Sequence, residues 1–161
     1  MLTLLLIIHL LIAVALLGAI THQTLSLWWS PAPAAAVATA GKTAFFTNYR
    51  AVRANVYTNA IVILFVCVAV FGSLLYPGYR LTILPFMRSH HATPWGGVFE
   101  MKEHIVAIGL GLLPLYWYLW KRVAISEHVR LRKIITAILA FCVWWSFLDG
   151  HLINNIKGFG P

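Results

Sequence analysis

An all-helical integral membrane protein, folded as a four-helix bundle, is the class this sequence predicts, and three observations predict it. Hydrophobic residues make up 61% of the 161 and charged ones only 10%, with a mean hydropathy of +0.83. A soluble chain of this size needs far more charge to cover its surface. Apolar runs recur along the chain at lengths that match a bilayer, since about 20 residues at 1.5 Å each cross the hydrocarbon layer. Aromatic residues reach 14%, including seven Trp, as suits a chain that meets two water–lipid interfaces. The net charge of +8 does not read as nucleic-acid binding, because the cations sit scattered at the ends of apolar runs, where they meet lipid headgroups. The partner first implied is therefore the lipid bilayer, and the chain reads as one transmembrane domain over residues 1–161 without internal repeats.

The first span is expected over residues 2–21, a Leu/Ile-rich run holding His9, with His22 at its end. No Lys or Arg precedes it, and the small-residue stretch near residue 40 lies too far downstream for an ordinary cleavage site. It reads as a membrane helix. His9 and His22 are thirteen apart, which puts them on different helix faces, so they should not serve one site. Residues 22–56 form the longest connection, with Trp28 and Trp29 suited to an interface and Pro31 and Pro33 breaking any helix. An amphipathic in-plane segment is expected over residues 43–53.

The second span is expected over residues 57–76, stopped by Pro77-Gly78. An irregular loop follows from Arg80 to Phe99, carrying His90 and His91, both read as solvated. The third span, residues 102–120, opens on Glu100, Lys102, Glu103 and His104 and ends in an aromatic belt followed by Lys121 and Arg122. Pro114 predicts a kink, and Gly109 and Gly111 allow a neighbouring helix or a flat ligand to come close. The fourth span, residues 134–148, ends at Asp149-Gly150-His151. Cys67 and Cys142 lie inside apolar runs and read as small buried hydrophobes.

Cations set the orientation. Eight of the twelve Lys and Arg fall in the first-to-second and third-to-fourth connections, which places those in the cytoplasm and both termini outside. His9, Glu100, Glu103, His104, Asp149 and His151 then gather toward the outer face.

An imidazole inside an unbroken Leu/Ile run is costly and usually faces a bundle interior. His9 can be a neutral histidine hydrogen-bonded to a neighbouring helix, an axial haem ligand, or part of a proton path or quinone contact. Glu100 and His104 are four apart on one helix face, so the carboxylate can fix the imidazole's tautomer, as a metal ligand requires. His151 is a weaker ligand candidate at the headgroup level. A zinc or copper site built from His90, His91, Glu100, Glu103 and His104, with Met87 and Met101 near, is the other metal reading, though no tight ligand spacing supports it. No nucleophile elbow, phosphate loop or dinucleotide fingerprint is present, which excludes soluble-type hydrolase and kinase chemistry.

The run Ile8-His9-Leu-Leu-Ile-Ala-Val-Ala-Leu-Leu-Gly18 is similar to the first-helix signature of a group of small bacterial four-helix membrane proteins. That group includes the copper-resistance-D-like proteins and the membrane haem-binding protoporphyrinogen oxidases. A second polar position, His or Lys, opens their third helix, where Met101-Lys102-Glu103-His104 stands here. The resemblance implies a multi-pass protein of the bacterial inner membrane. It also implies a b-type haem between the first and third helices, held by His9 and either His104 or Lys102. The long Trp/Pro/Ala connection differs from the family, so haem binding alone is carried over. The expectation is thus a haem b protein moving electrons near the outer leaflet, to or from a quinone or cytochrome partner. Glu100, Lys102 and Glu103 would support the ligands, and Gly109 or Gly111 would admit the porphyrin. The rival is a cofactor-free accessory subunit of a larger respiratory or oxidase membrane complex.

Overall fold

The computed structural model describes residues 2–28, 54–90 and 93–156. The expected in-plane segment, His91 and the tail beyond residue 156 lie outside them. The described residues form five α-helices: α1 (Leu2–Trp28), α2 (Thr58–Gly78), α3 (Leu84–Ser89), α4 (Thr93–Lys121) and α5 (Val129–Ile156). A 3-10 turn, Ala54–Tyr57, leads into α2, and a wide π turn, Tyr79–Ile83, joins α2 to α3.

Three stretches, Leu2–Trp28, Ala54–Ser89 and Val129–Asn155, are long and apolar enough to cross a membrane. α4 is just as long at 29 residues, but Glu100 to His104 and its Gly, Pro, Tyr and Trp lower its hydropathy. The outer faces of the helices carry large exposed apolar side chains such as Leu11, Ile63, Leu74, Ile108 and Phe141, which suits lipid contact.

The four long helices close into a ring. α1 packs against α2 and α5, and α4 packs against the same two, which leaves α1 diagonal to α4. Contacts between chain-distant residues run the helices up, down, up and down: Gln23 meets Thr58, Trp120 meets Thr136, and Thr21 meets Trp144.

Each helix outruns its expected span. α1 continues past residue 21 because its polar residues find partners: Thr24 and Ser26 hydroxyls donate to the Ile20 and His22 carbonyls at 2.7 and 2.8 Å. Pro77-Gly78 does not stop the second helix. Pro77 stays inside α2, and a π turn follows it, where the Leu84 N–H reaches back five residues to the Tyr79 carbonyl. What reads as an irregular loop from Arg80 to Phe99 is therefore mostly helical. Pro85 and Pro94 fall in the first turns of α3 and α4, where a missing N–H costs nothing. α5 starts at Val129 and runs past Asp149-Gly150-His151.

One end of the bundle, at the α1 C-terminus and the α4–α5 turn, is closely knit. Leu16, Ile20, Ile61, Leu113, Tyr116 and Leu139 form its core. Within it Gln23 Nε2 donates to the Ala54 carbonyl (3.0 Å) and to the Thr58 hydroxyl (3.2 Å), while Tyr116 donates to Gln23 Oε1. One amide thus joins three helices with its hydrogen-bonding groups satisfied. Arg132 is buried and donates to the carbonyls of Leu119, Ala124 and Ile125 at 2.7–3.1 Å, with a longer contact to Val123 at 3.4 Å. Those are among the carbonyls a helix end and its turn leave without partners. Around this end, Trp117 donates to Asn59 (3.1 Å), Trp144 to Thr21 (3.0 Å), and Lys133 stands 5.0 Å over the Trp28 ring.

Candidate ligand chamber

The opposite half is built differently. Between the N-terminal half of α1, the C-terminal half of α2, the start of α4 and the end of α5 lies a chamber of about 370 Å³. That is the lower part of the range typical of small-molecule pockets, about 300–1,000 Å³. Its walls are largely hydrocarbon, including Leu10, Phe65, Val68, Val106 and Val143. Into it come His9 from α1, Tyr76 and Tyr79 from the α2 end, Lys102 and Glu103 from α4, and Ser146, His151 and Asn154 from α5.

Helical spacing explains the set. On α4 the lining residues are Phe99, Lys102, Glu103, Val106, Ala107 and Leu110, a stripe at steps of three and four. Small residues make the room. A methyl on Gly72 would touch His9 Cε1 at 3.4 Å, and one on Gly150 would lie 3.3 Å from Lys102 Nζ. Tyr79 is buried, stacks on Phe99 with centroids 3.7 Å apart and reaches the Gly96 carbonyl at 3.5 Å. Its position at the first residue of the π turn follows a common pattern, since such wide turns recur at functional sites.

Two polar atoms of the chamber wall, His9 Nδ1 and Ser146 Oγ, are buried without a hydrogen-bond partner. Trp145 Nε1 and both oxygens of the Asp149 carboxylate, which is 3% exposed, are likewise unpartnered on α5 outside the lining. A buried polar atom left unpaired costs about 1–3 kcal/mol, so such atoms on a chamber wall mark a place built to meet something other than its own side chains.

Of the residues singled out from sequence, the structure brings His9, Lys102, Glu103 and His151 to this one chamber. His104 is not among them. It is exposed, off the lining stripe although next to Glu103 in the chain, and its Nδ1 lies 2.8 Å from the Glu100 carbonyl of its own helix. The Glu100 carboxylate does not orient it either, being 3.4 Å from Arg80 in a half-exposed ion pair. Lys102 and His151 thus share the chamber with His9, and His104 does not. Gly109 admits the Phe65 ring rather than a ligand, and Gly111 is open to the outside.

The expected outer-loop metal cluster does not assemble: among the described residues no three His, Cys, Asp or Glu stand close enough to hold an ion. His90 Nδ1 lies 2.9 Å from the Phe86 carbonyl, with its ring stacked on Phe86. Met87 is core and Met101 is exposed. His22 lies apart from His9, in a flank hollow of about 600 Å³ beside Tyr57 and Trp144. Both cysteines are free, and Cys142 lines the chamber.

Sequence reasoning gave Ser146, Tyr79 and Trp145 no role and placed Asp149 only at a span end. A signal for two of them was present. Leu139, Val143, Ser146, Gly150 and Ile153 step by three and four along the inward face of α5, and Asp149 falls seven after Cys142 and fourteen after Ile135.

Comparison of the chain with protein-family models, with curated proteins and with solved structures gives no match.

Proposed function

We propose that this is a four-pass membrane protein that binds a b-type haem in the chamber, with His9 as an axial ligand, and carries electrons near the outer leaflet. The observation that carries the reading is the His9 imidazole, its Nδ1 buried without a hydrogen-bond partner, set on the wall of a largely hydrocarbon chamber. The donor set fits such a group. His9 supplies a neutral imidazole, Gly72 leaves space beside it, and Lys102 and His151 offer nitrogen across the chamber. Bound there, haem would supply a one-electron couple whose potential depends on its axial ligands and its burial.

The chain's own residues do the rest. α1 holds His9 in place by packing on α2 at Gly72. Leu10, Phe65, Val68 and Val106 offer hydrocarbon to the faces of a flat macrocycle, and Lys102 meets negative charge with its ammonium. Orientation follows from charge. Among the described residues, the closely knit end carries Lys121, Arg122, Arg130, Arg132 and Lys133 against Glu127, and the chamber end Arg80, Arg88 and Lys102 against Glu100, Glu103 and Asp149. That asymmetry supports an orientation with the chamber on the outer side. α4 completes the four passes, since it is as long as its neighbours and closes the ring between α2 and α5.

A reduced-minus-oxidised visible spectrum of the detergent-purified protein tests this. A b-type α band is expected, lost with the Soret band in His9→Ala and kept in His104→Ala. Lys102→Met and His151→Gln then assign the ligand across the iron. Full haem content in His9→Ala sinks the assignment. A colourless protein, expressed with haem in supply, leaves the accessory-subunit reading in its place.

A further inference from the structure

We infer that the chamber is a one-ended aqueous vestibule: water and protons reach the middle of the bundle from the end carrying the N-terminus, and the other half of the bundle is sealed. This goes beyond haem binding and does not depend on it.

Two observations carry it, one for each half. In the chamber half, the lining extends from Leu16 and Cys142 near the bundle's middle to Asn154 and His151, which are exposed at its end. Along that route stand His9 and Ser146, whose Nδ1 and Oγ have no hydrogen-bond partner in the protein. In a hydrocarbon surrounding every such atom needs a partner. Buried water making about three hydrogen bonds is what proteins use where side chains do not supply one. The cavity's volume and its polar atoms meet both conditions for holding water.

In the sealed half those conditions fail. Ile20, Leu113 and Leu139 fill the axis with at most 5% exposure. The polar atoms at that level, in Gln23, Thr58 and Tyr116, are occupied by one another. Water entering this layer would have to break those bonds without gaining a place to stand. A reaction in the chamber that takes up or releases protons would therefore exchange them with one side of the membrane only.

Cysteine accessibility tests this in sealed vesicles, in a background carrying Cys67→Ala and Cys142→Ala. Ser126→Cys, in the α4–α5 turn, calibrates which face is which. A charged, membrane-impermeant methanethiosulfonate reagent is added to each side in turn. The thiolate is the reacting form and needs water, so Ser146→Cys is expected to react at least about tenfold faster from the N-terminal face. Leu113→Cys is expected to stay unreactive from both. Should Ser146→Cys fail to fold, Val106→Cys probes the same chamber from α4. Repeating the measurement with His9→Ala separates this inference from the haem reading. Protection that His9→Ala relieves means an occupant in an accessible vestibule. Failure to react in either background overturns the vestibule, and equal rates from the two faces overturn the seal.

Discussion

The two halves of this bundle are made of the same helices and of similar residues, yet they treat polar atoms in opposite ways. In the half near the α4–α5 turn, Gln23, Tyr116, Thr58, Trp120, Thr136 and Arg132 are each bonded to another part of the chain. In the other half, Asp149 is buried and His9, Trp145 and Ser146 are partly so, and all four keep buried polar atoms without a hydrogen-bond partner. A membrane interior penalises an unpaired polar group, so the first half is built for stability and the second carries a cost. The lesson is that burial alone does not mark a functional residue. Burial without a partner does.

The contrast can be broken most forcefully at Arg132. Arg132→Met strips hydrogen bonds from the carbonyls at the end of α4 and in its turn, and a loss of about 2–4 kcal/mol is expected from the orphaned acceptors. Thermal unfolding in detergent should show it as a large drop in midpoint. An unchanged midpoint would mean that water serves those carbonyls equally well.

A matched pair sharpens the comparison next. Gln23→Leu leaves the Tyr116 and Thr58 hydroxyls unpaired and should cost about 1–3 kcal/mol, whereas Ser146→Ala removes an atom that had no partner and should be neutral or slightly stabilising. Equal damage from both would erase the distinction between the halves. The smallest effect is steric. A methyl at Gly109 runs into the buried Phe65 ring, so Gly109→Ala should cost about 1–2 kcal/mol through overpacking. Gly111→Ala, two residues on and facing open space, should instead gain a few tenths to about 1 kcal/mol in helix propensity. Loss of stability at Gly111 would show that α4 packs against something on that face.

Much of this was legible in the sequence, for stated reasons. Long apolar runs with cations at their ends announced the helices. His9 announced itself by being the one ionisable residue in a Leu/Ile run, and Lys102 by standing at the start of the third apolar run. The neighbours of each helix were not legible. α1 is apolar nearly all round, so no stripe tells which face meets α2 and which meets lipid. The rotation of α4 was lost for a similar reason. Lys102 and His104 lie two residues apart and so on different faces, and only the stripe through Phe99, Val106 and Leu110 shows which is inward. Pro77-Gly78 misled because a proline in a helix reads as a stop, and the π turn that carries the helix on after it has no sequence signature of its own.

The grip of Arg132 on the α4–α5 turn has a mechanical consequence. With that turn held by one guanidinium, and α1, α2 and α4 pinned together by Gln23, the bundle is a pair of tongs hinged at one end. Its jaws are the chamber half, where few side-chain bonds tie helix to helix. A tilt of about 5° acting over ~20 Å of helix, some 14 residues, moves the tip by ~2 Å. Motion of that size is expected to stay in the chamber half and to leave the bonds at the hinge intact.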